Sequence, residues 1–182
     1  SLLAEVLPPA RERAQARGLQ LLAPEGLPGR VLVQGDRVRL RQVLNNLLLN
    51  AIRHTPAGEV GVRITLDSLG RSLCLQVHDT GPGLSEQHQQ QVFERFGGQD
   101  NAVARVAGGG VGLAISRELV RAMGGSIQYQ SQRAGGNCIA VQLPLRWRLG
   151  TLPAGGEPQP DGGPRQALRV LLVEDDQTVA EV

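Results

Sequence analysis

The sequence predicts an α/β protein built as a two-layer sandwich, in which a mixed, largely antiparallel sheet carries about three helices over one face. Two patterns predict this. Apolar residues recur at helical spacing in three separated stretches, and they alternate along several short ones. A third feature punctuates both. Glycine numbers 24 and proline 11 in 182 residues, about 19% against roughly 12% in average chains, so the places where they cluster mark the joints.

Composition sets limits on function. The 41% apolar content is enough for a core, and 19 basic against 17 acidic residues, net +2, give no field that argues for nucleic acid. Cys74 and Cys138 lie far apart in alternating apolar stretches. They are expected as buried thiols in a reducing compartment rather than a disulfide or a zinc site. No apolar run approaches 18 residues, and Glu5, Arg11, Glu12, Arg13 and Arg17 break up the first segment. Neither a membrane span nor a signal peptide is expected.

Taken in order, Leu3, Val6, Leu7, Ala10 and Ala14 predict a helix, with Pro8 and Pro9 starting a fresh one before Gly18. Leu19 to Leu22 and Arg30 to Val33 read as short strands either side of the loop APEGLPG. Asp36 caps a helix whose apolar positions Val38, Leu40, Val43, Leu44, Leu47, Leu48, Ala51 and Ile52 run for about five turns until Thr55-Pro56. Val60 to Leu66 and Leu73 to Val77 form an antiparallel hairpin. After DTGPG, residues 85–93 predict a short helix and 96–110 a mobile loop. Val111 to Met123 returns to helical period, Gly124-Gly125 stops it, and Ile127 to Ser131 with Cys138 to Leu143 close a last hairpin. Residues 150–164 hold five glycines and four prolines and read as a tether. LRVLLVEDD then restarts as a strand ending in acids, followed by an apparent helix start.

The order of elements concentrates the chemistry: an asparagine-rich helix, a strand running into DxGxG, then GxGxG opening a helix. Glycines at loop-to-helix junctions let backbone amides approach phosphates, and a helix N-terminus favours negative charge. GGGVG alone is a weak signal; no GK[ST] follows, and no strand precedes it as a dinucleotide fingerprint requires. Asp79, at a strand end, admits two roles, an acceptor for the exocyclic amine of a purine or a turn-capping Asx motif. Asn46 and Asn50 share one helix face, with Arg53 three residues on. Their amides suit either a structural network or an oxygen ligand for Mg²⁺ held with polyphosphate, where the phosphates supply the charge.

Residues 36–56, DRVRLRQVLNNLLLNAIRHTP, with DTGPG, FERF, GGGVGLAISRELVRAMGG and GGNCIAVQLP, resemble the catalytic ATP-binding domain of sensor histidine kinases, over roughly residues 1–147. The resemblance implies the histidine-kinase-type (Bergerat-type) ATPase fold, with ATP and Mg²⁺ as ligands. Asn50 would be the side-chain ligand of Mg²⁺, Asn46 and Arg53 would contact phosphates, and His54 would flank the nucleotide. Asp79 would read adenine, while Gly81 and Gly83 let the chain pass beside the base. Phe93 and Phe96 would anchor a lid, or serve as core aromatics, and Gly108, Gly110, Val111, Gly112 and Leu113 would close over the phosphates. Val111 stands where the family more usually has leucine, and Ile139 near its usual phenylalanine.

Related ATPases of the gyrase, mismatch-repair and chaperone type carry a water-activating glutamate one turn before the metal asparagine. This chain has Asn46 there, which suits a pocket that keeps ATP until a histidine attacks in line. An ATP-hydrolysing module and a nucleotide-binding regulatory domain without catalysis are the alternatives. None of the three histidines, His54, His78 and His88, sits in a helical hairpin with an acidic neighbour, so the phosphoacceptor and dimerisation domain is expected to be supplied separately. The C-terminal LLVEDD resembles the opening of a receiver domain, with Glu174 and Asp175 as residues that help hold Mg²⁺. The expected organisation is therefore a kinase catalytic domain at 1–147, a linker at 148–166 and a truncated receiver at 167–182, in a hybrid kinase. Implied partners are the phosphoacceptor domain and a receiver or response regulator. The fragment is expected to be a cytoplasmic monomer within a homodimeric parent, any inner-membrane anchor lying upstream.

Overall fold

The computed structural model describes residues 1–27, 30–84, 89, 92–93, 110–131, 135–150 and 170–174. Helix α1 spans Leu2–Gln15, and the Ser1 hydroxyl caps it by accepting from the Ala4 N–H at 3.2 Å. No new helix starts at Pro8-Pro9; one helix runs straight through them. Each proline lacks the N–H for a helical bond and crowds the preceding turn, a cost of about 3 kcal/mol in a helix interior. Buried Leu2, Leu3 and Val6 before the pair, and Ala10 and Ala14 after it, form one face that offsets the loss by packing on the core. Gly18, at φ 70°, ends the helix, and the Leu19 N–H folds back onto the Ala14 carbonyl at 2.9 Å.

Helix α2 is Arg37–His54, capped by Asp36, whose carboxylate accepts from the Arg39 N–H at 2.9 Å. The periodic stripe is its buried face, with Leu44 and Leu47 fully inaccessible. Thr55 closes it, its hydroxyl donating to the Ala51 carbonyl at 2.7 Å. Helix α3, Gly110–Ala122, stops at Gly124 (φ 74°), where the Gly125 N–H returns to the Val120 carbonyl at 2.9 Å. The short helix expected over 85–93 and the loop over 96–110 lie outside the described residues, apart from Gln89, Val92, Phe93 and Gly110.

The strands are β1 (Gln20–Leu21), β2 (Arg30–Gln34), β3 (Glu59–Leu66), β4 (Leu73–Asp79), β5 (Ser126–Ser131), β6 (Asn137–Leu143), β7 (Trp147–Leu149) and β8 (Val170–Glu174). A five-stranded mixed sheet has the order β1-β3-β4-β6-β5, parallel only between β1 and β3. Both hairpins read from the sequence are present in it. A second sheet, β7-β2-β8, was not foreseen: β2 pairs antiparallel with β7 and parallel with β8. At the junction between the sheets, the Asp67 carboxylate collects the Ser72 and Arg71 amides at 2.7 and 2.8 Å and the Trp147 indole N–H at 3.0 Å. These donors, the Ser72 amide foremost, hold its carboxyl below the usual range.

The three helices lie over one face of the five-stranded sheet. Val60, Val62 and Ile64 of β3, Leu73, Leu75 and Val77 of β4, and Ile139, Val141 and Leu143 of β6 are buried beneath them. On this alternation the next inward position of β4 is Asp79, and its register partner on β6 is Asn137. Cys138 is buried and Cys74 half-buried, both free thiols whose pKa burial pushes up. Among the described residues no helix is long and apolar enough to cross a membrane.

Leu44→Ala should lower unfolding stability by about 2–5 kcal/mol, the usual result of emptying a buried leucine site, as read from urea denaturation. His78, half-buried against Gly61, has its pKa pulled below 6.5, chiefly by burial. A histidine that resists protonation when folded contributes stability above its unfolded pKa and loses it as pH falls. The thermal midpoint should therefore drop between pH 7 and 5, and drop less in His78→Gln.

Candidate functional site

A polar corner forms where β4 and β6 end. Asp79 is 7% exposed, and its Oδ1 accepts from the Gly81 N–H at 2.8 Å and from Asn137 Nδ2 at 2.7 Å. The first bond is the turn-capping arrangement; the other oxygen, Oδ2, has no partner among the described residues. Asn137 also donates to the Pro82 carbonyl at 3.2 Å and accepts from the Tyr129 hydroxyl, and Tyr129 in turn receives the Leu84 N–H at 3.0 Å. The segment leaving β4 is thereby tied to β5 and β6. Gly81 has a steric reason: a Cβ there would lie 2.7 Å from the His54 carbonyl and 2.8 Å from Asp79 Oδ1. Gly83, two residues on, is exposed.

Helix α2 links this corner to a second feature. Its end carries His54, half-buried, with a pKa lowered first by burial and then by the Arg53 charge, while Asp79 opposes the shift. Such a histidine is neutral at pH 7. Further back, Asn46, Asn50 and Arg53 line a cleft of about 520 Å³, together with Gly112 in the first turn of α3, Arg13 of α1, and Ala16 and Arg17 just after that helix. Asn46 Nδ2 donates to the Gly112 carbonyl at 3.1 Å and to the Ser116 hydroxyl at 3.3 Å, clasping α2 to α3. The Ser116 hydroxyl donates to the same carbonyl at 2.8 Å. Asn50 has no protein partner among the described residues, so its amide is open to the cleft. Among the described residues, no carboxylate and no imidazole line that space.

Residues 35–146 match the family described as Histidine kinase-, DNA gyrase B-, and HSP90-like ATPase. The chain belongs to this ATPase family. Among relatives of the domain, it is 36% identical over 184 residues to the circadian input-output histidine kinase CikA of Synechococcus elongatus, covering all of this chain and 24% of that protein. It is 42% identical over 185 residues to the sensor histidine kinase AruS of Pseudomonas aeruginosa, covering 96% of this chain and 17% of that one. Among solved structures it resembles full-length ShkA in complex with AMPPNP, with a TM-score of 0.65 at 28% identity, over 84% of this chain and 31% of that one. The mycobacterial sensor histidine kinase MprB follows at 0.57 and 27%, over 79% and 96%. The chain thus spans no more than a quarter of these two curated relatives.

Within the ATPase domain, the structure gathers Asn46, Asn50, Arg53 and Gly112 at one cleft and Asp79, Gly81 and His54 at the adjoining corner. Leu113 is buried at the start of α3, and Gly110 and Val111 open that helix. Phe93 is half-buried against the core. Phe96, Gly108 and Asp175 lie outside the described residues, and Glu174 ends β8. Sequence reasoning missed Asn137, Tyr129 and Ser116, and the two arginines Arg13 and Arg17 of the cleft wall. For Asn137 a signal existed: a polar residue at the inward register of an otherwise apolar strand. Asn137→Ala removes the tether on Asp79 and should cost about 1–2 kcal/mol of stability and weaken ATP binding several-fold, measured by thermal unfolding and nucleotide titration.

Proposed function

We propose that this domain binds Mg-ATP and donates the γ-phosphoryl group to a histidine of a separate dimerisation and phosphoacceptor domain, in two-component signalling. The observation that carries this is the division of labour at Asp79. One oxygen is held by Gly81 and Asn137 and the other has no partner among the described residues, while helix α2 runs from that corner to a cleft whose described lining presents amide and guanidinium groups and a helix start but no base.

Asp79 Oδ2 is an acceptor suited to the exocyclic amine of adenine, and Gly81 leaves the base a side-chain-free approach. Asn50 and Arg53 face the phosphate end, where Arg53 supplies charge to phosphate oxygens. Asn46, by holding the Gly112 carbonyl, fixes the first turn of α3, whose backbone amides favour anions. The residues also fit a metal that arrives with its ligand. A single neutral amide oxygen would not retain Mg²⁺ alone, and among the described residues no cluster of three His, Cys, Asp or Glu side chains could do so. Asn50 would hold Mg²⁺ jointly with the phosphates, where the ion neutralises the oxygens around the transferred phosphorus.

Phosphotransfer is favoured over hydrolysis because no carboxylate or imidazole lines the cleft among the described residues, and Asn46, at the position of the glutamate in hydrolysing relatives, is engaged with α3. In the same proposal residues 148–166 are a linker, and 167–182 begin a receiver whose Glu174 and Asp175 serve its Mg²⁺ site. Similarity to a histidine kinase extends over the whole chain, residues 148–182 included. The whole would act in the cytoplasm, this fragment as a monomer and its parent as a homodimer, with a response regulator or receiver as the final phosphoryl acceptor.

Titration with ATP, with and without Mg²⁺, tests the assignment. Asp79→Ala should weaken ATP binding roughly tenfold to a hundredfold, as expected for loss of one hydrogen bond to a charged group. Asn50→Ala should abolish the benefit of Mg²⁺ and stop phosphoryl transfer to an added phosphoacceptor domain. Unchanged binding in Asp79→Ala would remove the adenine role, and steady ATP turnover without an acceptor would favour the hydrolase.

A further inference from the structure

We infer that Arg13 and Arg17 form a second cationic wall of the cleft and bind the polyphosphate of the nucleotide, adding an anion subsite contributed by the end of α1 and the turn after it. The inference rests on the nucleotide function proposed above. Arg13 lies in the last turn of α1, and Arg17 in the turn that follows the helix end at Gln15. They line the same cleft as Asn46, Asn50 and Arg53, with Ala16 between them too short to fill it. The end of α1 with the turn after it, and one face of α2, thus present polar side chains to one space. Arg17 is already drawn across it, its Nη2 donating to the Arg53 carbonyl at 3.3 Å.

Charge pairing elsewhere sharpens the point. Arg37, Arg39, Arg41, Arg63 and Arg121 each pair with a carboxylate. Among the described residues, neither Arg13 nor Arg17 forms an ion pair. The acidic side chain of α1 that pairs with α2, Glu5, lies at the opposite end, against Arg37 and Arg41. Three guanidiniums thus line a cleft that holds no carboxylate among the described residues, with Gly112 in the first turn of α3 also on its wall. Two independent positive sources facing one space fit a multiply charged anion, and the length and charge of a triphosphate match better than those of a monophosphate. A rival account is that Arg13 and Arg17 only complement the negative C-terminal end of α1. That role would change stability and leave ligand preference untouched.

The test compares Mg-ATP and AMP, by competition against a fluorescent ATP analogue, in the unmodified chain, Arg13→Gln/Arg17→Gln, Arg13→Lys/Arg17→Lys and Asp79→Ala. The glutamine pair should weaken ATP roughly tenfold while changing AMP less than about twofold. The lysine pair should recover most of the loss, and added salt should weaken ATP binding more in the unmodified chain than in the glutamine pair. Equal loss for ATP and AMP, or a fall in thermal midpoint with ATP affinity unchanged, would overturn the subsite. Failure of the unmodified chain to bind ATP, or binding indifferent to Asp79→Ala, would instead overturn the nucleotide function on which the subsite rests.

Discussion

A carboxylate occupies an inward position of a core strand, and much of the site is arranged around satisfying it without using it up. Leu73, Leu75 and Val77 fill the preceding inward positions of β4, so Asp79 begins where the hydrophobic layer ends. A carboxyl group so enclosed needs hydrogen bonds. It receives two on one oxygen, from Gly81 and Asn137, and none from the described chain on the other. The turn-capping and ligand-accepting roles that compete when only the sequence is in view belong to different oxygens of the same side chain. Tyr129 and Leu84 extend the network outward, so the geometry of the acceptor and the path of the segment beyond it are set together.

Helix α2 transmits this order to the phosphate end. One side is a leucine stripe pressed on the sheet, and the other carries Asn46, Asn50 and Arg53. The two amides, identical in chemistry and one turn apart, have different tasks. Asn46 is tied to α3, and Asn50 is open. A helix held on one face by close packing keeps its other face in fixed rotation, so the core determines where an exposed amide points.

Much of this was legible beforehand because it is local. The period of α2, the stops at Gly18 and Gly124, both hairpins and the DTGPG turn depend on residues close in sequence. What escaped depends on tertiary partners. β1 lies beside β3 rather than near β2, and that parallel pairing has no signature in two residues. β7 is three residues long and largely exposed, so it has no alternation to detect. Pro8-Pro9 argued for a helix break, yet a buried face spanning both sides outweighed the local penalty. Asp79 was recognisable as an acceptor because it ends a strand, whereas the arginines of α1 acquire meaning only once that helix is laid beside α2.

The junction between the two sheets has a practical consequence. Trp147 is the only tryptophan of the chain, and its indole is anchored to Asp67 beside the turn joining β3 to β4. Asp79 lies at the other end of β4, roughly 20 Å away for a strand of that length. The tryptophan emission of this protein therefore originates at the seam of its sheets, as a gauge of whether that seam is intact, while the single tyrosine, Tyr129, sits in the network beside Asp79.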